Sequence, residues 1–323
     1  MSNPAGLVYG HFLDPALKGT ACSWESLANG LPAEAVWLHF DYTDSDTQHW
    51  IRELSGLDPI AADSLLSEET RPRASSIHGG LLLALRGVNL NPDSNPEDMV
   101  SLRLWSDGHH VISTRKRRLL SAADLSHSIA SGEGPYNAGE LVTEFASRLI
   151  IRMQHSIDSI NDKLDELEMA LAIGDTPPQR GEVASLRQQA ISIRRYLSPQ
   201  REAMTQLQSD KITWISPDCR LRLRETTDVL IRYIEDLDSV RDRAAVAHEE
   251  LNNRITEHMN NRMYVLSIVA AIFLPLGFLT GLLGINVGGI PGADNPYSFI
   301  AFCLFLTIIV GLQVWLFKKK GWF

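Results

Sequence analysis

The sequence predicts an α/β cytoplasmic domain followed by a long α-helical stalk and two transmembrane helices. Three observations lead there. First, Met263–Phe317 contains two apolar runs, MYVLSIVAAIFLPLGFLTGLL and YSFIAFCLFLTIIVGLQVWLF, with no Asp, Glu, Lys, Arg or His in either. Each has roughly 20 residues, enough at ~1.5 Å rise per residue to cross the ~30 Å hydrocarbon core of a bilayer. Second, neither proline nor glycine occurs between Pro217 and Pro275. An unbroken helix from Asp218 to Leu283 would be on the order of 100 Å long and would run from water into the membrane. Third, the part before about Arg118 mixes short β-branched and aromatic runs with capped helical ones.

In chain order, GLVYGHFLD and AVWLHFDY read as strands. Asp44 to Leu54 opens with cap-type residues and turns helical, and Asp58-Pro59 starts a second helix. IHGGLLLALRGVNL, DMVSLRLWSD and HHVISTRKRR read as three further strands, with Asp107-Gly108 as a hairpin turn. The cluster Arg115-Lys116-Arg117-Arg118 lacks interleaved aromatics and reads as a solvated strand end, so nucleic acid is not an expected partner. From Gly139 the chain turns helical. Leu141, Phe145, Leu149, Met153, Ile157, Ile160, Leu164 and Leu167 form one apolar stripe on a helix from Glu140 to Ala172, which Gly174 to Pro178 would end. A second helix runs from Glu182 to Leu207. In the third, Leu230, Ile234, Leu237, Arg241, Ala244, His248, Leu251 and Ile255 keep the spacing of a seam that packs on other helices.

The expected boundaries are 1–137 for the α/β domain and 138–262 for the helical region with the stalk. The spans are 263–283 and 297–317, the periplasmic loop between them is 284–296, and 318–323 is a basic cytoplasmic tail. Lys318, Lys319 and Lys320 follow the second span, and Arg254 and Arg262 precede the first, whereas the loop carries only Asp294. By the positive-inside rule both termini are cytoplasmic. The start, MSNPAGLVYGHF, has no basic and then apolar pattern, so no signal peptide is expected.

Composition narrows the function. The 323 residues carry a formal net charge of -9, which disfavours nucleic acid and suits a protein that handles cations. Cys22, Cys219 and Cys303 are far apart, so neither a disulfide framework nor a thiolate metal site is indicated. There is no HExxH, nucleophile elbow, phosphate loop or carboxylate pair, so no enzyme and no prosthetic group are expected.

On the long helix, Asn252, Thr256, Met259, Met263, Leu266, Ala270, Leu274 and Gly277 lie three and four apart. This face is polar below the membrane and apolar within it. Around a symmetry axis it lines a channel, with a hydrophobic constriction that gates by dewetting; in the plainer reading it meets lipid or another helix. Two helices cannot enclose a pore, so a conducting subunit must form a closed ring of copies. His248 and His258 are ten residues apart, about 15 Å along the helix, so one chain cannot place both on one ion. Rings of each from several chains bind zinc weakly or take up protons; the alternative is solvated surface histidine. Glu249, Glu250, Glu257, Asp236 and Asp238 either add a cation-attracting field or form a solvated face. His109-His110 is a further metal-sensor candidate that spacing does not single out.

Pro275-Leu276 with Gly281-Leu282-Leu283-Gly284-Ile285-Asn286 resembles the membrane motif of the CorA superfamily, in which a Gly-x-Asn tripeptide ends the first span. Arg71-Pro72-Arg73 also resembles a family feature. Ile285 stands where the best-known members, which transport magnesium, carry methionine. Val287-Gly288-Gly289-Ile290-Pro291-Gly292 is similar to the ZntB branch, which transports zinc. The resemblance implies a CorA-like funnel, a homopentamer in the inner membrane of a bacterial cell, with first spans lining the pore and Gly284, Ile285 and Asn286 as the selectivity motif. For the zinc branch it implies proton-coupled uptake of Zn2+, with Cd2+, Ni2+ and Co2+ as further cargo. Alternatives are zinc efflux, a magnesium or cobalt channel and, in a different class, a membrane-anchored scaffold or receptor.

Overall fold

The computed structural model describes residues 6–17, 19–68, 71–77, 79–173, 180–209, 211–284, 290, 292 and 295–321. The chain divides into two compact units, Met1–His248 and Glu249–Phe323.

The first unit is built on a six-stranded sheet. β1 (Leu7–Phe12) pairs antiparallel with β2 (Val36–Asp41). After β2 come α1 (Ser45–His49), a π-helical turn (Trp50–Leu54) and α2 (Pro59–Leu66). Both helices start on the predicted caps: the Thr47 N–H donates to Asp44 Oδ2 at 2.9 Å, and the Ile60 N–H to Asp58 Oδ1 at 2.8 Å. β3 (Arg73–Ile77), β4 (Gly80–Gly87), β5 (Val100–Ser106) and β6 (Val111–Arg115) complete the sheet in the order β1-β2-β6-β5-β4-β3. Only β2 and β6 run parallel. Gly108, at φ 94°, turns the β5–β6 hairpin as expected.

The sequence reading differs from the structure in two places. The stretch from Ile77 reads as one strand, but Ile77 ends β3 and pairs with Gly80 at the start of β4, with Gly79 at φ 82° between them. Here the glycine pair turns the chain rather than lying inside a strand. The single helix expected over Glu140 to Ala172 is two, α4 (Ala138–Ile151) and α5 (Gln154–Ile173). The Met153 N–H bonds to Ile150 O at 2.9 Å, one turn of tighter winding, while Arg152 turns to pair with Asp124. The apolar stripe runs through the break, buried at every position but half-buried Leu167, so its spacing does not reveal it. The expected terminator after α5, residues 174 to 178, lies outside the described residues.

Helices cover both faces of the sheet. Leu38 and Phe40 of β2 pack with Trp50, Ile51, Ala62 and Leu65 on one face. Trp37 points the other way and meets Phe145 of α4 edge-on at 5.4 Å between ring centres. Each of the buried leucine, isoleucine and phenylalanine side chains among these contributes about 1.5–3 kcal/mol over its exposed state. α3 (Leu120–Ala130) lies beside α4, and α6 (Arg180–Leu207) packs along β3 and β4. Gln200 of α6, wholly buried, pairs with the backbone of Arg86: the Arg86 N–H donates to its Oε1 at 2.7 Å, and its Nε2 donates to Arg86 O at 3.1 Å. Arg86 lies past the last paired residue of β3, so a side chain completes the edge there.

α7 (Pro217–Gly284) starts on Ser216, whose Oγ accepts the Cys219 N–H at 3.2 Å, with Pro217 at the first position. Leu230, Ile234, Leu237, Ala244 and Leu251 of the seam are buried. Arg243 of α7 pairs with Asp165 and Glu168 of α5. In the second unit the remainder of α7 is followed by α8 (Ser298–Lys319).

Candidate functional site

Both α7 and α8 are long and apolar enough to cross a membrane. Within the second unit the two faces of α7 differ. Ile268, Ala271, Ile272, Leu276 and Leu279 are half-buried, as are Phe302, Leu306, Ile309, Val310 and Gln313 on α8. The channel-face candidates Leu266, Ala270, Leu274 and Gly277 each precede one of those α7 positions by two residues, about 200° round the helix. They point away from α8. Met259, Met263, Leu266 and Leu274 are 58%, 64%, 69% and 71% exposed, and Thr256, Ala270 and Gly277 are exposed too. Asn252 is half-buried, and its carbonyl accepts the Thr256 hydroxyl at 2.8 Å. Val265, Val269 and Phe273 flank this face and are exposed as well. An apolar surface of this extent needs lipid or further copies of the helix against it.

Pro275 lies inside α7 and has no N–H to give to the carbonyl four residues back, that of Ala271. In hydrocarbon no water can replace the missing donor. Gln313 of α8 replaces it: its Nε2 lies 3.5 Å from Ala271 O, at the outer limit of a hydrogen bond. The sequence reading passed over Gln313, although the signal was available as the one side-chain amide in the second run, set against a proline in the first. At the C-terminal end of α8, Lys319 Nζ sits 5.2 Å from the centre of the Trp315 ring.

Gly284 is the last residue of α7. Ile285 and Asn286, like Asp294 and residues 287–289 of the loop, lie outside the described residues. His248 is half-buried, with Nδ1 unpartnered, and His258 is exposed. Among the described residues no group of three or more His, Cys, Asp or Glu is placed to hold a metal. The acids of the stalk divide into two sets. Asp238 pairs with Arg194 and Arg241, and Glu250 with Arg254 at 2.6 Å, so these charges are locally compensated. Asp236 is held above the usual carboxylate range by burial and by the neighbouring Asp158 and Glu235.

His109-His110 fastens the β5–β6 turn. His109 Nε2 lies 2.9 Å from Ala33 O; His110 Nδ1 and Nε2 lie 2.9 Å from Asp107 Oδ2 and from Pro32 O. Both His110 contacts are to acceptors, so imidazolium fits best, and the hydrogen bond to Asp107 raises its pKa. Burial alone would raise Asp107, but hydrogen bonds from the His110 ring and the His110 and His109 N–H groups bring it down to about 2.

Two apolar helices packed on each other, with one face of the first left uncovered, fit the class of membrane ion transporters. The chain matches the model of the CorA-like Mg2+ transporter protein family over residues 32–319. It is 41% identical over 321 residues to the divalent cation transporter CmaX of Pseudomonas aeruginosa, covering 98% of this chain and 97% of that protein. A full-length CmaX structure superposes with a TM-score of 0.85 at 41% identity over 99% of both chains. The zinc transport protein ZntB of Yersinia enterocolitica is 36% identical over 315 residues, covering 98% of this chain and 95% of that one. The CorA magnesium transporter of Methanocaldococcus jannaschii shares the fold at a TM-score of 0.78 and 16% identity, over 94% of this chain and 95% of that one. The chain therefore belongs to the CorA-like Mg2+ transporter family, a family of ion transporters and not of enzymes. Its function class is divalent cation transport of the CorA/ZntB type.

Proposed function

We propose that the chain takes up divalent metal cations, zinc first among them, through a central pore formed by five copies in a bacterial inner membrane, with protons as the coupled ion and both termini in the cytoplasm. One observation carries the reading: the face of α7 from Thr256 to Gly277 is uncovered in the single chain, and from Leu266 onward it is turned away from α8. Copies packed around that face give a polar lower path and an apolar constriction above it, a form that gates by dewetting. The name of the ZntB relative and the likeness of the Val287 to Gly292 sequence to the ZntB branch support zinc; the name of the CmaX relative supports divalent cations in general. A ring of Asn286 amide oxygens at the outer mouth holds a cation through its water shell weakly enough to release it. His248 and His258 serve as weak cation or proton stations in this scheme, and Cd2+, Ni2+ and Co2+ are further cargo.

The test is metal flux into proteoliposomes, with zinc, cadmium, nickel, cobalt and magnesium in competition, with and without a pH gradient. Zinc uptake quickened by an inward proton gradient is expected, and Asn286→Ala should abolish it in a still-assembled oligomer. Uptake indifferent to the gradient removes proton coupling, and outward flux alone assigns efflux. Magnesium displacing zinc at equal concentration assigns the magnesium or cobalt channel. A monomer in lipid that moves no metal leaves only the anchored scaffold.

A further inference from the structure

The first unit carries a concave site of about 330 Å³ between the end of the sheet and α6. Its described lining includes five cationic side chains, Arg86, Arg103, Lys116, Arg117 and Arg195, against three carboxylates, Glu68, Glu97 and Asp98. An excess of cations in one cleft is unexpected in a chain of net charge -9. Part of the basic cluster that reads as a solvated strand end thus forms its wall.

Arg103 decides what the cleft is for. Its side chain comes from the middle of β5 and is 2% exposed. The guanidinium lies 4.6 Å from the centre of the Tyr42 ring, and its Nη2 donates to the Glu68 carbonyl at 2.8 Å. Nε and Nη1 have no hydrogen-bond partner, and neither has the Tyr42 hydroxyl. Glu68 and Tyr42 act on this guanidinium electrostatically, but no carboxylate is in ion-pair contact with it, and a buried charge without a contacting counter-ion is costly unless something else supplies one. The carboxylate of Glu68 is taken by Lys116. Across the cleft, Arg195 lies on the Tyr196 ring, 4.9 Å from its centre, and Nη1 of Arg86 donates to Met99 O at 3.0 Å. Guanidinium forks at several angles around one cavity match the several oxygens of a tetrahedral oxyanion, which a single carboxylate or halide does not offer.

We propose that this cleft binds a phosphoryl oxyanion, either free phosphate or the phosphate of a small phosphomonoester, on Arg103 with Arg195 and Arg117 closing over it. The volume leaves room for a small organic remainder. The site lies wholly within the first unit, separate from the membrane face described above, and does not depend on which cation is carried. Because its walls come from β5, the end of β6 and α6, an occupant clamps α6 to the sheet.

The test uses the full-length protein in detergent, in chloride buffer free of phosphate, sulfate and divalent metal, at fixed ionic strength. Calorimetric titration with inorganic phosphate and with phosphoserine should saturate below about 1 mM, and the thermal midpoint should rise with either. Phosphate and phosphoserine binding alike assigns the free ion; tighter phosphoserine assigns the phosphomonoester. Arg103→Gln and Arg195→Gln should each weaken binding by about tenfold or more. Arg195 is exposed, so its variant keeps the fold, and it carries the test if Arg103→Gln does not fold. No heat and no thermal shift up to about 10 mM, equal binding by wild type and Arg195→Gln, or an equal response to added chloride each overturns the proposal.

Discussion

His39 makes the stability of the first unit depend on acid, and the size of the effect follows from its surroundings. The ring is fully buried in β2, stacked on Tyr9 at 5.8 Å, with Nδ1 at 2.8 Å from Ser113 Oγ. Ser113 Oγ also accepts the Trp37 Nε1–H at 2.9 Å and faces Leu38 O at 3.4 Å. With that carbonyl taking the hydroxyl proton, His39 is best served as the Nδ1–H tautomer, leaving Nε2 bare and without a partner. Protonating Nε2 would bury an unpaired charge. Burial, and secondarily Arg115, accordingly pushes the pKa from 6.5 down to about 3. The sign follows: between those values the unfolded chain binds the extra proton and the folded one does not. The stabilisation is complete above about pH 6.5 and drains away as pH falls toward 3. From about pH 7.5 to about pH 5 the linked loss is about 2 kcal/mol. The assay is denaturant unfolding of the detergent-solubilised protein across that range, wild type against His39→Gln. The variant starts less stable but loses about 2 kcal/mol less on acidification. His11 is also held low by burial, but it is present in both proteins and cancels. Parallel pH profiles would refute the reasoning.

Three further outcomes are expected. His110 works with the opposite sign: its raised pKa adds stability that is complete below about pH 6.5 and lost as pH rises through the folded value. The gap between wild type and His110→Asn should therefore be wider at about pH 6 than at about pH 9, read by thermal unfolding. Gln200→Ala strips the partners from the Arg86 N–H and C=O and should cost about 2–3 kcal/mol, seen as a lower denaturant midpoint at unchanged slope. Gln313→Leu should destabilise the hairpin by about 1 kcal/mol in an unfolding assay, and by less in a Pro275→Ala background, where residue 275 regains the N–H for Ala271 O. An equal cost in both backgrounds would show that the two residues are not coupled.

The parts of this molecule legible in the sequence are those whose signal is one-dimensional. The two apolar runs, the stretch without proline or glycine and the Asp44 and Asp58 caps each depend on neighbours along the chain, and they lie where they are expected. β3 was not legible because RASSI sits at the sheet edge with three polar residues and only Ala74 buried, so it has no apolar alternation to find. The division of α4 from α5 was hidden because a tighter turn keeps the stripe in phase. Gln200, Arg103 and Gln313 matter through partners far along the chain, at Arg86, Tyr42 and Ala271, and single-sequence spacing carries no such pairing. The uncovered face of α7 was readable as a period; its direction became readable only once α8 marked the opposite side.

The amide that reaches across from α8 has a mechanical meaning. Midway along its apolar run the first of the two helices lacks a rung of its own ladder and borrows one from its neighbour. If the first span swivels at that level, it must either carry the second span along or surrender the borrowed rung inside hydrocarbon. The two rods are thus coupled as a linkage, with the fulcrum at Ala271.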